Sequence, residues 1–251
     1  MAELLDYHWL FLLLAAPCVG SFLGVVVARL PEGRSVLRGR SACPHCGTVL
    51  GFLDLVPILG WTLARGRCRH CGAAVSWWYP AIEVAALAIA AWSLAVLPGW
   101  LAWAGCLLGW SLIALAAIDA RHLLLPDALT LPLVPAGLAV AWLVEPAKLP
   151  DHVLGAGVGF LALAAVGLAY RHLRGREGLG LGDAKLFAGA GAWVSWQGLP
   201  SVLLLAAAAA LVWQLVAARR RGRPLMGREL PFGPYLATAL WLVWLYGRIM
   251  L

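Results

Sequence analysis

Long apolar stretches separated by short polar connections dominate this chain. A helix that spans a bilayer needs about 20 mostly apolar residues, and eight segments come close to that length. The predicted spans are residues 7–30, 80–97, 101–118, 126–144, 152–170, 184–198, 200–218 and 232–250. The sixth of these, 184–198, is short and rich in glycine and fits the pattern least well. The pattern predicts an all-α, polytopic integral membrane protein with about eight transmembrane helices and one long polar loop.

Composition supports this interpretation and excludes a soluble globular protein. Of the 251 residues, 63% are hydrophobic and only 12% are charged, whereas soluble domains are about 45–50% apolar and roughly 25% charged. One core cannot hide such an excess, because a core requires a polar shell. The 14 tryptophans also fit a membrane protein, since tryptophan is enriched at membrane–water interfaces.

The net charge of +7 is distributed in the way that sets membrane topology. Of the 19 lysines and arginines, all but Lys148 and Arg248 lie in or beside four connecting segments. These segments are 29–69, Arg121, 171–185 and 219–228. Eight spans place these basic connections on one side, which the positive-inside rule identifies as the cytoplasm. We therefore expect both termini outside, the lipid bilayer as the main surrounding, and no nucleic-acid partner.

The polar stretch 31–79 contains two Cys-x2-Cys motifs, Cys43/Cys46 and Cys68/Cys71, separated by 21 residues. This spacing predicts one tetrahedral Zn²⁺ site. Two disulfides or free thiols are the alternatives, although reduced cytoplasmic thiols disfavour disulfides. Four thiolates leave no open coordination position, so the zinc would be structural and would stabilise a loop with little apolar content.

Three polar residues near these elements have less specific interpretations. His45 and His70 lie inside the cysteine motifs and are expected beside the metal or in solvent rather than as ligands. Glu83, one turn inside the predicted second span, is either a helix-start charge favoured by the dipole or a buried polar anchor.

Two aspartates are the strongest catalytic candidates, because charges at membrane depth are costly and usually functional. Asp119 and Asp183 lie at the cytoplasmic ends of two different predicted spans, at similar depth in the membrane. Asp183 closes the segment Gly178-Leu179-Gly180-Leu181-Gly182, whose glycines allow tight bends and the close approach of a partner chain. Two carboxylates about 3 Å apart share a proton. One can then act as a base toward water while the other protonates a scissile carbonyl, which hydrolyses a peptide bond without a metal.

The ends of the predicted helices suggest a role for each carboxylate. The dipole favours a charge on Asp183, at a helix amino-terminus, over Asp119, at a helix carboxyl-terminus. This asymmetry suggests Asp183 as the base and Asp119 as the proton donor. Asp127, which follows Pro126, is explained as a helix-start acid.

Ordered motifs from about residue 17 to 238 carry a resemblance to a known family. They are Gly20-Ser21-Phe22-Leu23 with Arg29-Leu30-Pro31, the paired cysteine motifs, Tyr79-Pro80 with Glu83, Ile118-Asp119 with Leu125-Pro126-Asp127-Ala128-Leu129-Thr130, Gly180-Leu181-Gly182-Asp183 with Lys185, and Pro231-Phe232-Gly233-Pro234-Tyr235. Together they resemble the bacterial type IV prepilin peptidases, which are GxGD aspartyl membrane proteases and N-methyltransferases. The resemblance implies that Asp119 and Asp183 are catalytic, with Gly180, Gly182 and Lys185 forming the turn beside the substrate.

The same resemblance implies substrates, a cofactor and a location. The substrates would be prepilins and pseudopilins of type IV pili or type II secretion. Their basic leaders would be cleaved at the cytoplasmic face of the bacterial inner membrane, and S-adenosylmethionine would methylate the new amine. Gly24 and Leu55 replace asparagines that are usual in the family, in the amino-terminal part tied to methylation. No glycine-rich nucleotide-binding unit is visible, so the residues that bind the cofactor stay unassigned.

The expected organisation is a first transmembrane helix over 1–30, a cytoplasmic zinc loop over 31–79 and a seven-helix membrane peptidase domain over 80–251. Two other functions remain open. One is a zinc-stapled scaffold or assembly factor in which the aspartates only cap helices. The other is a transporter with carboxylates as proton relays, which the position of Asp119 and Asp183 at span ends disfavours.

The basic connections generate a topology prediction. In intact cells, a reporter cysteine introduced as Arg174→Cys should resist a membrane-impermeant thiol reagent, because residue 174 is expected in the cytoplasm. Lys148→Cys, in a predicted outer connection, is the matched control and should react, with the wild-type chain giving the background. Ready labelling of Arg174→Cys would contradict the topology.

Overall fold

A computed structural model describes residues 8–175, 179–221 and 230–247. Within these ranges the chain is helical and contains no strand, apart from two isolated β-bridges. The helices are α1 (His8–Arg29), α2 (Leu59–Leu63), α3 (Trp78–Val96), α4 (Leu101–His122), α5 (Asp127–Val144), α6 (Leu149–Arg174), α7 (Leu181–Arg221) and α8 (Gly233–Tyr246). Single 3-10 turns cover Leu30–Glu32, Phe52–Asp54 and Pro146–Lys148. The all-α class is therefore confirmed.

Six helices of the described chain, α1 and α3 to α7, are long and apolar enough to cross a membrane. The protein is thus a multi-pass membrane protein. Helix α7 contains both predicted spans 184–198 and 200–218. Its backbone is interrupted at Ser195, where φ is 59° and ψ is 174°, a few residues before the predicted break at Gly198–Pro200. The last predicted span begins as α8, while residues 248–250 of it, and 222–229 of the preceding connection, lie outside the described residues.

The chain forms two compact units, residues 1–114 and 115–251. In the first unit α1 packs against α3, and Gly20 makes the contact possible, because a Cβ there would lie 2.6 Å from Cα of Glu83. Glu83 is the sixth residue of α3 and only 7% exposed. Its Oε2 accepts the backbone N–H of Ile58 at 2.6 Å. Glu83 is therefore a buried anchor between α3 and the cysteine loop, not a helix-start charge.

In the second unit, α7 packs against α5, α6 and α8. The contact with α6 is made by backbone, since a Cβ on Gly155 would lie 2.6 Å from both the carbonyl oxygen of Gly191 and the nitrogen of Trp196. The same Cβ would be 2.8 Å from the carbonyl carbon of Ser195. The interruption in α7 thus lies where α6 approaches it closely, in the turn that precedes Pro200, which a proline ring disturbs.

This contact predicts opposite effects for two neighbouring glycines of α6. A Cβ on Gly157 would meet nothing within 4 Å, so Gly157→Ala should gain up to about 1 kcal/mol from helix propensity. Gly155→Ala should instead destabilise the protein by about 1–3 kcal/mol, because backbone atoms cannot move aside as side chains do. Unfolding in detergent, followed by circular dichroism, measures both variants. Equal stability of the two would show that α6 and α7 do not meet at Gly155.

Candidate active site and cysteine cluster

Asp183 is the third residue of α7, just after the glycine turn. Its Oδ2 accepts the backbone N–H of Gly180 at 3.2 Å, which is one half of a capping box. Its Oδ1 is buried and has no hydrogen-bond partner among the described residues. Leaving a buried acceptor unpaired costs free energy, and such an atom in a folded protein calls for an explanation such as catalysis.

The glycine turn lies against the segment that follows α4. A Cβ on Gly182 would be 2.9 Å from Cβ of Leu125, and Leu125 is itself buried. A glycine is needed at this close approach, because any side chain would separate the two segments. The packing brings the start of α7 beside the chain that leaves α4. Gly178, the first glycine of the motif, lies outside the described residues.

Asp119 lies in the last turn of α4 and is only 6% exposed. Its Oδ2 accepts the backbone N–H of Gly233, the first residue of α8, at 2.9 Å. A Cβ on Gly233 would come within 2.7 Å of that same oxygen. The Pro-Phe-Gly-Pro-Tyr motif therefore has a physical function that the sequence did not reveal. It presents a peptide N–H, with no side chain in the way, to a buried carboxylate.

Asp119 and Asp183 lie in the same unit, near enough for the charge of Asp119 to act on Asp183. Each carboxylate also accepts a peptide N–H at the start of a helix, α8 for Asp119 and α7 for Asp183. The sequence predicted that Asp183 holds a negative charge more easily than Asp119, because Asp119 was expected to meet only the carboxyl end of a helix. Because the start of α8 also faces Asp119, helix ends no longer distinguish the base from the proton donor.

Asp127 and Lys185 form an ion pair that the sequence analysis missed. Asp127 is the first residue of α5, as expected of a helix-start acid, and its Oδ1 lies 2.6 Å from Nζ of Lys185. The pair joins α5 to the first turns of α7, two residues after Asp183. The sequence indicated this ion pair only through opposite charges near the starts of two predicted helices. Because 58 residues separate the two charges, no short spacing linked them.

The four cysteines of the loop converge on one point. Their Sγ atoms all lie within 4.8 Å of one another, with Cys43 and Cys71 3.9 Å apart and Cys46 and Cys68 4.0 Å apart. A tetrahedron with Zn–S bonds of about 2.3 Å has edges of roughly 3.8 Å, so the cluster could hold a metal ion. All four thiols are free.

The two cysteine motifs have the same local fold. In each, the N–H of the glycine after the second cysteine donates to the carbonyl of the first cysteine at 2.9 Å. Both glycines, Gly47 and Gly72, have a positive φ near 70°, a conformation that favours glycine. His45 and His70 are exposed and outside the cluster, as expected.

Electrostatics within the cluster favour a bound cation. Hydrogen bonds from the side chain and backbone of Thr48 lower the pKa of Cys46 to about 6, and backbone N–H groups of Cys71 and His70 lower the pKa of Cys68. The backbone of Ala73 acts to lower the pKa of Cys71, but burial and the neighbouring thiols raise it to about 11. Four thiolates this close repel one another, so a cation is needed to keep all four ionised.

Comparison with known proteins agrees with this architecture. Residues 14–97 match the bacterial peptidase A24 N-terminal domain, and residues 106–215 match the type IV leader peptidase family. Three relatives bear the name prepilin leader peptidase/N-methyltransferase. They are from Aeromonas hydrophila, 41% identical over 91% of this chain and 87% of the relative, from Burkholderia pseudomallei, 42% identical over 88% and 79%, and from Dickeya chrysanthemi, 42% identical over 92% and 90%.

No solved structure matches the chain, so the family assignment rests on sequence. The two matched regions contain the cysteine cluster and the two aspartates, respectively. Identity near 40% extends across almost the whole chain and across most of each relative. The chain therefore belongs to the type IV leader peptidase family and carries that family's bacterial amino-terminal domain.

Proposed function

We propose that this chain is a membrane aspartyl endopeptidase that removes the leader peptides of type IV prepilins and pseudopilins and then N-methylates the new amino-terminus. The observation that carries the proposal is the buried Oδ1 of Asp183, which has no partner in the described chain and belongs to a carboxylate that interacts with Asp119. The names of the relatives support both halves of the activity. Membership in a peptidase family supports the cleavage half.

The two carboxylates would act as a unit that shares one proton. One accepts a proton from water, whose oxygen attacks the scissile carbonyl carbon, while the other donates a proton to the carbonyl oxygen. When the resulting tetrahedral species breaks down, the carbon–nitrogen bond is cleaved and the amine leaves protonated. The N–H groups of Gly233 and Gly180 hold one oxygen of each carboxylate, which leaves Oδ1 of Asp183 available to water or substrate.

Access to the pair would be from the glycine turn. Gly180 and Leu181 are exposed, whereas Asp119 is buried. An extended leader peptide could therefore approach along the turn, and the Lys185–Asp127 ion pair would keep the turn in place. The basic connections favour the cytoplasmic face of the inner membrane as the side of cleavage.

We assign zinc to the cysteine loop, residues 31–79, and peptide cleavage to the membrane helices within 80–251. Four thiolate ligands complete a tetrahedral site and leave no position for substrate, so the zinc would be structural. S-adenosylmethionine would supply the methyl group for the second activity.

A non-catalytic scaffold explains the site less well. If the aspartates served only to cap helices, one oxygen of each would suffice and the other would face solvent. Oδ1 of Asp183 is instead buried and unpaired within the described residues. A proton-relay transporter is also disfavoured, because both carboxylates lie in terminal turns of their helices rather than at mid-span.

The proposal predicts that Asp119→Asn and Asp183→Asn each abolish nearly all cleavage, because the pair acts as a unit. Asparagine keeps the shape of the side chain and removes the shared proton. Cleavage of a prepilin-like peptide by purified protein is the measurement. Asp127→Asn is the comparison variant. It removes the ion pair with Lys185 and a helix-start charge worth about 0.3–1 kcal/mol, so it should slow cleavage without abolishing it.

Two outcomes would contradict the assignment in different ways. An inactive Asp127→Asn beside an active Asp119→Asn would move the first catalytic residue to position 127. Normal cleavage by both Asp119→Asn and Asp183→Asn would exclude an aspartyl mechanism altogether.

The cysteine cluster predicts about one equivalent of zinc per chain, as one tetrahedral site requires. Elemental analysis of purified protein measures it. Cys43→Ser should lose the metal and loosen the loop before it abolishes cleavage, whereas Cys106→Ser, in a helix of the same unit, should keep the zinc. Metal-free protein with four free thiols and unchanged stability would rule out a structural zinc site.

A further inference from the structure

A short part of the cysteine loop presents an apolar surface in a loop that is otherwise polar. It covers residues 52–63, which include the 3-10 turn Phe52–Asp54 and helix α2, and we call it the apolar segment. Its large side chains that are more than half exposed are Phe52, Leu53, Leu59 and Leu63. The turn and the helix are packed together, because a Cβ on Gly60 would lie 2.5 Å from the carbonyl oxygen of Asp54. Exposed apolar surface that is concentrated in this way marks a contact with a protein or a membrane.

A hydrogen bond fixes the depth of the apolar segment relative to α3. The backbone N–H of Ile58, immediately before α2, donates to Oε2 of Glu83 at 2.6 Å. Helix α3 has 19 residues and is therefore about 28 Å long, close to the roughly 30 Å of a hydrocarbon core. The whole helix is needed to cross that core, so its sixth residue, Glu83, lies about 7–8 Å inside the boundary. The start of α2 is thus held at membrane depth.

The polar atoms of the apolar segment are largely paired within the protein, as contact with lipid requires. The backbone N–H groups of residues 54, 55, 59, 60, 62 and 64 each donate to a carbonyl of the same loop. The hydroxyl of Thr62 donates to the carbonyl of Ile58 at 2.9 Å, and the indole N–H of Trp61 donates to the carbonyl of Val75 at 3.0 Å.

The single charge of the apolar segment is also paired. Asp54 is its only charged residue. One carboxylate oxygen of Asp54 lies 3.1 Å from Nε of Arg69, and the other accepts the backbone N–H of Gly51 at 3.1 Å. The outer surface of the segment is therefore left to its leucines and Phe52.

The residues on either side of the apolar segment suit a membrane surface. Arg65 and Arg67 follow α2 and are exposed, and arginines at this position can extend to lipid phosphates while their stems stay on apolar surface. Trp77 directly precedes α3 and is also exposed, and tryptophan is enriched at this level of a bilayer. An apolar surface bordered by basic and aromatic residues is typical of an interfacial membrane contact.

We propose that the apolar segment inserts into the lipid leaflet on the loop's side of the membrane and anchors the cysteine loop there. The hydrogen bond between Ile58 and Glu83 sets the depth, Leu59 and Leu63 enter the apolar region, and Arg65 meets the phosphates. The inference goes beyond the proposed function and does not rest on it, because it requires only that α1 and α3 span the membrane. The loop would then be part of the membrane-embedded structure and not a domain suspended in water.

A prepilin is a weaker candidate for the occupant of this surface. The hydrophobic helix of such a substrate could cover the leucines, but the leader expected beside that helix is basic. Arg65 and Arg67 would repel a basic leader, whereas they attract lipid phosphates. Charge complementarity therefore favours the lipid surface.

Photo-crosslinking identifies what touches the apolar segment. A benzophenone amino acid replaces Leu59 or Leu63 in the full-length protein, which is reconstituted in lipid nanodiscs with and without a prepilin and then irradiated. Mass spectrometry separates adducts with lipid from adducts with protein. Lipid adducts should predominate at both positions, whether or not the prepilin is present.

Leu37 provides the matched control, because it is an exposed leucine of the same loop. Its turn is held by Arg29, whose guanidinium donates to the carbonyl of Arg38 at 3.1 Å. Gly20 contacts α3 at Glu83, and Arg29 lies nine residues further along α1, about 13 Å toward the loop. This exceeds the roughly 7–8 Å from Glu83 to the start of α3, so a cross-linker at position 37 should face water and give several-fold fewer lipid adducts.

Three outcomes of the cross-linking would overturn the inference. Equal lipid labelling at positions 37 and 63 would show that the apolar segment has no special contact with the bilayer. Adducts at position 59 or 63 that move from lipid to prepilin when the substrate is added would identify a substrate-docking surface. Adducts with a second copy of the chain would identify an interface between copies.

Hydrogen exchange in nanodiscs tests whether the insertion holds the loop in place. Leu59→Gln combined with Leu63→Gln should weaken the insertion, because an amide is costly to bury in hydrocarbon. The amides of residues 52–64 should then exchange several-fold faster than in the wild-type chain, whereas Leu37→Gln should leave them unchanged. Unaltered exchange at the two cysteine motifs separates release of the segment from unfolding of the loop. Wild-type exchange of residues 52–64 in the double variant would overturn the anchoring role.

Discussion

A carboxylate buried among apolar helices must find hydrogen-bond donors within the protein, because lipid and hydrocarbon side chains offer none. Asp119 meets this requirement through the backbone of α8, and Asp183 meets half of it through its own glycine turn. The glycines at 180, 182 and 233 serve the same requirement. Gly180 and Gly233 supply the backbone N–H groups, and a side chain at Gly182 or Gly233 would collide with Leu125 or Asp119, respectively. The free-energy cost that remains is that of Oδ1 of Asp183, which is buried without a hydrogen-bond partner among the described residues.

The rest of the second unit keeps that arrangement rigid. Helix α7 carries Asp183, and it is held by backbone contact with α6 at Gly155 and by the ion pair between Lys185 and Asp127. The indole N–H of Trp193 donates to the carbonyl of Leu133 at 2.9 Å, which fixes α7 against α5. A catalytic group has to be positioned closely to be effective, and these contacts along the helix would give that precision to the carboxylate proposed as catalytic.

Hydropathy, charge and motif spacing predicted the helices and the convergence of the four cysteines, whereas the catalytic pairing of the two aspartates stays a prediction. These features depend on local composition or on short spacings. The interruption lies at Ser195, ahead of the break predicted at Gly198–Pro200, because a proline disturbs the helical turn that precedes it. The role of Glu83 was left open, because its partner Ile58 is in a loop. The assignment of acid and base used the helix that carries Asp119 and missed the helix that faces it. Contacts between backbone groups that lie far apart in the sequence could not be predicted from local patterns.

The hydrogen bond from Gly233 to Asp119 spans 114 residues of sequence, and this has a consequence for biosynthesis. The ribosome releases Asp119 long before Gly233, and chains fold as units from their amino-terminal side as they are made. Until α8 has been inserted, Asp119 lacks its peptide donor even though both aspartates are already present. A nascent chain, or one truncated before residue 233, would thus carry both carboxylates in an unassembled state. Insertion of α8 would therefore be the step that completes the proposed aspartate site.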